Sequence, residues 1–151
     1  MLYVPEDTNV TFQEVPDEIS LTISISECPM RCEGCHSPHL QCATGVKLTE
    51  STLNSYLKKY GDFVSCVLFY GGDWKEEKLL EALKLVKRKG LKTALYVGSK
   101  DVSNALKNYL DYLKVGAYNK DLGGLKEKTT NQRFYFVPTN KDITYKFQET
   151  I

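Results

Sequence analysis

From Glu18 to Ser26 the chain reads Glu-Ile-Ser-Leu-Thr-Ile-Ser-Ile-Ser, a strict two-residue alternation with Ile19, Leu21, Ile23 and Ile25 on one face. Only an extended strand gathers these side chains on one side. The strand leads straight into Cys28. Helical and strand-length patterns then alternate along the chain. Thr49 suits an N-cap, and Leu53, Tyr56, Leu57 and Tyr60 follow at i, i+3, i+4, i+7, with Gly61 suited to the C′ position. Val64 to Tyr70 is mostly apolar, as expected of a strand buried on both faces, and ends at Gly71-Gly72-Asp73. A helix is expected from about Lys75 to Lys89, with Leu79, Leu80, Leu83 and Val86 as its stripe and Gly90 as its stop. Leu91 to Val97 is a further strand, ending at Gly98-Ser99. Asp101 is expected to cap a short helix carrying Val102, Leu106 and Tyr109, and Tyr112 to Val115 reads as a fourth strand. Arg133 to Val137 and Ile143 to Phe147 flank a turn and predict a closing hairpin, or a last strand with an extension.

Alternating strands and helices predict βαβ units and a mainly parallel sheet. At 151 residues the chain is expected to be one domain, with a core over about 19–147. It is too short for an eight-fold barrel, which takes about 250 residues. The expectation is therefore an α/β fold: an open, partial (β/α) barrel of about four to six strands. Ligands of such sheets sit beyond the carboxyl ends of the strands. The Cys28 loop and Gly71-Gly72-Asp73 both come directly after strands, so they are expected to meet on one edge.

Cys28-Pro-Met-Arg-Cys32-Glu-Gly-Cys35 has the spacing C-x3-C-x2-C. Three close thiolates can hold three corners of a cubane iron–sulfur cluster and leave one iron open; a fourth cysteine is the usual complement. The same thiols, joined by His36, His39 or Cys42, could instead complete a tetrahedral zinc site. Cys42 as a fourth ligand would close an electron-transfer cluster. Gly71-Gly72-Asp73 alone is also a plain strand-to-helix turn with Asp73 as N-cap. The chain has five cysteines and no basic or apolar leader at its start, which argues for metal rather than disulfides and for a cytoplasmic location. Cys66 lies in an apolar run and reads as a buried core thiol. A net charge of +1 and the lack of a membrane-length apolar run give no reason to expect nucleic acid or membrane as partner.

Taken together, the cysteine triplet after one strand and the Gly-Gly-acid turn after the next resemble the radical S-adenosylmethionine (SAM) superfamily. Cys28 to His39, Tyr70-Gly71-Gly72-Asp73 and Thr129-Thr130-Asn131-Gln132-Arg133-Phe134-Tyr135 are similar to the activating subunits of anaerobic ribonucleoside-triphosphate reductases. The resemblance implies an oxidoreductase in which Cys28, Cys32 and Cys35 ligate a [4Fe–4S] cluster and SAM chelates the open iron. One electron then cleaves SAM to methionine and a 5′-deoxyadenosyl radical. It assigns Gly71, Gly72 and Asp73 to the SAM ammonium. Gly34 stands where the superfamily often has an aromatic residue, which leaves the backbone around Gly34 and His36 for the adenine. The implied product is a glycyl radical near the C-terminus of the large reductase subunit, with flavodoxin or a chemical reductant as electron donor. The other readings are an activase of the pyruvate formate-lyase or decarboxylase kind, a 7-carboxy-7-deazaguanine synthase-like enzyme, or a non-catalytic zinc module.

Overall fold

The computed structural model describes residues 1–29 and 38–148. Its strands are β1 (Leu2–Tyr3), β2 (Asn9–Thr11), β3 (Ser20–Ser24), β4 (Val46–Lys47), β5 (Cys66–Tyr70), β6 (Lys92–Tyr96), β7 (Tyr112–Val115), β8 (Arg133–Phe136) and β9 (Lys141–Asp142). The α-helices among the described residues are α1 (Glu50–Tyr60), α2 (Glu76–Arg88) and α3 (Asn104–Lys107). None of these helices is long and apolar enough to cross a membrane. Seven strands form one sheet in the order β2-β3-β5-β6-β7-β8-β9, and β1 pairs with β4 in a separate ribbon.

The sheet corrects the expectation of a partial (β/α) barrel. β3, β5, β6 and β7 pair in parallel, but β2 with β3, β8 with β7 and β9 with β8 pair antiparallel, so the sheet is mixed and open. A parallel crossover needs a helix to carry the chain back. Residues 116–132 after β7 form turns around Gly116, Gly123 and Gly124 instead. The chain therefore reverses beside β7 and closes with a hairpin. That hairpin is shorter than expected, with Tyr135 opposite Asp142 and Phe136 opposite Lys141. Asp142 ends it by accepting from the Thr144 N–H at 2.9 Å, which starts a 3-10 turn over Thr144–Phe147.

The pleat separates two cores. Leu21, Ile23, Val67, Phe69, Leu95 and Leu113 face the helices and meet Leu53 and Leu57 of α1, Leu79, Leu83 and Val86 of α2 and Leu106 of α3. The opposite face carries a smaller cluster, Cys66, Leu68, Ala94, Tyr112 and Phe134, roofed by Val15, Ile143 and Phe147. Cys66 is fully buried, as expected, and burial pushes its thiol up to about 12.

The helix termini match the sequence with two differences. Thr49 caps α1, accepting from the Thr52 N–H at 3.1 Å. Gly90, at φ 80°, stops α2 in the left-handed conformation that glycine tolerates best. Gly61 stays right-handed at φ −59° and so ends α1 without that turn. Ser103, not Asp101, caps α3; Asp101 instead pairs with Lys107 at 2.9 Å.

Candidate functional site

The register of the parallel strands builds the site's floor. Ser24 lies opposite Tyr70, Tyr70 opposite Tyr96, and Tyr96 opposite Lys114. This rung crosses four strands at their carboxyl ends. Its side chains share the pleat face of the second core, just past the point where Leu68, Ala94 and Tyr112 stop filling it. The face changes there from packed apolar groups to an open cleft of about 1410 Å³. Small-molecule pockets usually hold roughly 300–1,000 Å³, so the cleft has room for more than one small ligand.

Cys28 and Gly71 both line this cleft, as the strand order led us to expect. Gly98 and Gln132 line it too. Cys28 is half-buried, and its N–H donates to the Leu40 carbonyl at 2.7 Å. The neighbouring Glu27 N–H donates to the Cys42 carbonyl at 3.2 Å. These two bonds close the base of the cysteine loop. Cys32, Gly34, Cys35 and His36 lie outside the described residues. Among the described residues no three metal-binding side chains stand together.

Gly72 is buried under Met1, Ile25 and Leu79, and neither it nor Asp73 is among the residues lining the cleft. Asp73 lies against the Gly98-Ser99 turn, where the Ser99 hydroxyl donates to its carboxylate at 3.4 Å. Burial raises the Asp73 carboxyl above its ordinary 3.8, opposed by its own backbone N–H and by Ser99. A half-buried carboxylate can take a cationic partner. Trp74 comes next and lines the cleft, and its indole Nε1–H is buried without an acceptor among the described residues.

The other residues singled out in the sequence divide cleanly. His39 Nε2 meets Asp7 Oδ2 at 2.6 Å. Cys42 is exposed. Gln132 is buried and its side-chain amide donates to the Gly116 carbonyl at 3.2 Å, holding the loop after β7. Arg133 opens β8 and pairs with Asp142 at 2.7 Å.

Sequence reasoning missed the rung itself. Tyr70 and Tyr96 stack edge to face with centroids 5.5 Å apart, and the Tyr96 hydroxyl donates to the Glu14 carbonyl. Burial drives both phenols well above 10.0, so neither ionises near neutrality. Lys114 is 9% exposed, with its ammonium 5.5 Å from the Tyr96 ring centre. Lysine is almost never so buried unless it is paired. A lysine inside the apolar run Tyr112–Val115 was the available signal.

The site thus offers a thiol at one end of the cleft, a carboxylate just outside its lining and a buried ammonium on its floor. No family model matches the chain, and no curated protein or solved structure matches it.

Proposed function

We propose that this chain is a radical SAM activating enzyme that installs a glycyl radical on the large subunit of an anaerobic ribonucleotide reductase. One observation carries the reading. Cys28, at the end of β3, and Gly71, at the end of the adjacent β5, open onto the same cleft across the rung Ser24–Tyr70–Tyr96–Lys114. The reading rests on that loop and turn and needs no barrel.

The donor chemistry along the cleft supports this reading for both groups. Thiolates suit iron, and Cys28, with Cys32 and Cys35, would hold a [4Fe–4S] cluster at the cleft. The methionyl end of SAM carries an ammonium and a carboxylate. Asp73, just outside the cleft's lining, carries a carboxylate for the former, and Lys114 a cation for the latter. When bound, the cluster and SAM supply a one-electron cleavage of the sulfonium and then hydrogen abstraction. The chain's own part is placement and exclusion of water. Tyr70 and Tyr96 give the cleft an apolar aromatic floor that cannot ionise, and Trp74 closes the side above Gly71.

The deciding experiment is anaerobic reconstitution with iron and sulfide, then addition of SAM and dithionite. A brown protein that releases 5′-deoxyadenosine supports the reading; one bound zinc ion and no product overturns it. Mixing with candidate large subunits then separates reductase activation from other glycyl radical partners by the EPR doublet.

Asp73→Asn tests the ammonium site through two readouts of opposite sign. SAM affinity is expected to fall about ten- to a hundredfold, the cost of losing a charged partner of roughly 1–3 kcal/mol. Stability is expected to rise at pH 7. The folded-state carboxyl is raised, so its ionisation opposes folding once the pH passes the folded value, and the penalty vanishes below the unfolded 3.8. Urea denaturation at pH 7 and pH 3 should therefore show a gain only at the higher pH.

A further inference from the structure

Besides the bonds that join them directly, the two stems of the cysteine loop share a third segment. The outgoing stem is Ser24–Ser26 and the returning stem is Thr44–Leu48, joined directly where the Ser26 hydroxyl donates to the Thr44 carbonyl at 2.7 Å. β1 lies against both. Val4 N–H donates to the Ser24 carbonyl and Ser26 N–H to the Leu2 carbonyl, each at 3.0 Å. On its other side Leu2 pairs with Lys47 and Tyr3 with Val46, and Leu48 N–H donates to the Met1 carbonyl at 3.0 Å. Tyr3 is 3% exposed and its hydroxyl meets that of Tyr56 on α1 at 2.9 Å, which anchors the ribbon in the helix-side core. The chain then makes a 3-10 turn over Pro5–Asp7, bringing the Asp7 carboxylate to His39 at 2.6 Å. His39 is one residue from Leu40, whose carbonyl holds the Cys28 amide. Asp7 and His39 both line the cleft.

We propose that the segment Leu2–Asp7 is a strap that sets the position of the Cys28 loop, with Asp7 and His39 as positioning residues and the hydrogen bond between them as its outer fastening. The inference deepens the reading above, because the loop it positions is the one assigned to the cluster. The physical chain is short. β1 fixes both stems, the turn at Pro5–Asp7 fixes the distance from β1 to the carboxylate, and the carboxylate fixes the turn that carries Leu40. Side chains of Asp7 and His39 are 33% and 50% exposed, so solvent screens the pair and its effect is local rather than global.

The first test uses the full chain without metal and measures amide hydrogen exchange by NMR. In Asp7→Ala, the amides of Glu27 and Cys28 are expected to exchange about threefold to fivefold faster, the scale of one partly exposed polar contact. Amides of β5 and β6 serve as the internal control and are expected to stay unchanged. His39→Ala should match Asp7→Ala, the double variant should be no faster than either, and Asp7→Glu should restore slow exchange. Unchanged exchange at Glu27 and Cys28, additive effects in the double variant, or equal acceleration throughout the sheet would overturn the proposal. The second test measures the reduction potential of reconstituted protein, expected to shift in Asp7→Ala and return in Asp7→Glu. If the wild type takes up no cluster, the functional reading fails while the exchange result still decides the strap.

Discussion

Cys28→Ser is expected to fold as the wild type does, to take up no stable [4Fe–4S] cluster, and to release no 5′-deoxyadenosine with SAM and dithionite. The loop is held at this point by the Cys28 amide on the Leu40 carbonyl and by Glu27 on Cys42, and neither bond involves the thiol. Serine fills nearly the same space, so the backbone keeps its place. A hydroxyl, unlike a thiolate, is a poor iron ligand at neutral pH. Loss of one of three protein ligands removes the cluster, and with it the electron on which every later step depends. Cys66→Ser makes the contrast. Its thiol is 0% exposed among Leu68, Ala94 and Phe134, and burial holds it protonated, with its value pushed up to about 12. A hydroxyl there is expected to cost about 1–3 kcal/mol of stability while leaving iron content unchanged. Visible absorption, iron analysis and urea denaturation on the two variants should therefore give opposite patterns. Turnover by Cys28→Ser at a rate near wild type would remove Cys28 from the ligand set.

The strands that carry the site were legible because their signals are local. Alternation from Ile19 to Ile25 and the apolar run ending at Tyr70 gave β3 and β5, and their order placed Cys28 and Gly71 on one edge. The mixed, open sheet was not legible, because its departure from a barrel is decided by residues 116–132, between β7 and β8. They have no helical apolar period, and the glycines that turn the chain there read as an ordinary loop; the reversal beside β7 emerges only when the whole sheet is assembled. Asp73 was found as a residue but not in its setting, since its neighbour Ser99 comes from the next strand's exit. Tyr70 and Tyr96 were not legible as a cleft floor, because strand patterns do not say where along a face the packing stops. The N-terminal apolar run, Met1-Leu2-Tyr3-Val4, is too short to announce β1, whose partners lie in β4 and at the end of β3 and just beyond it.

That short ribbon makes Gly45 the most demanding glycine near the site. Gly45 sits at φ 84°, just before β4, and a Cβ there would overlap the Tyr3 carbonyl. Gly45→Ala therefore meets two costs. The left-handed backbone costs an L-residue about 1–2 kcal/mol. Relief of the overlap must push Tyr3 away from Val46, loosening the β1–β4 pairs and the Tyr3 side chain in the helix-side core. Together these are expected to reach about 3–4 kcal/mol, lowering Tm by roughly 10 °C in a chain of this size. Gly90→Ala isolates the first cost. Gly90 has nearly the same dihedral, φ 80°, but nothing lies within 4 Å of its Cβ position. It is expected to lose only about 1 kcal/mol and to leave exchange at Glu27 and Cys28 untouched. Gly45→Ala should accelerate both amides, because displacing Tyr3 also strains the Leu2 and Val4 bonds to Ser26 and Ser24. Equal destabilisation by the two alanines, measured by urea denaturation, would mean that Tyr3 yields freely and that β1 does not fix the loop.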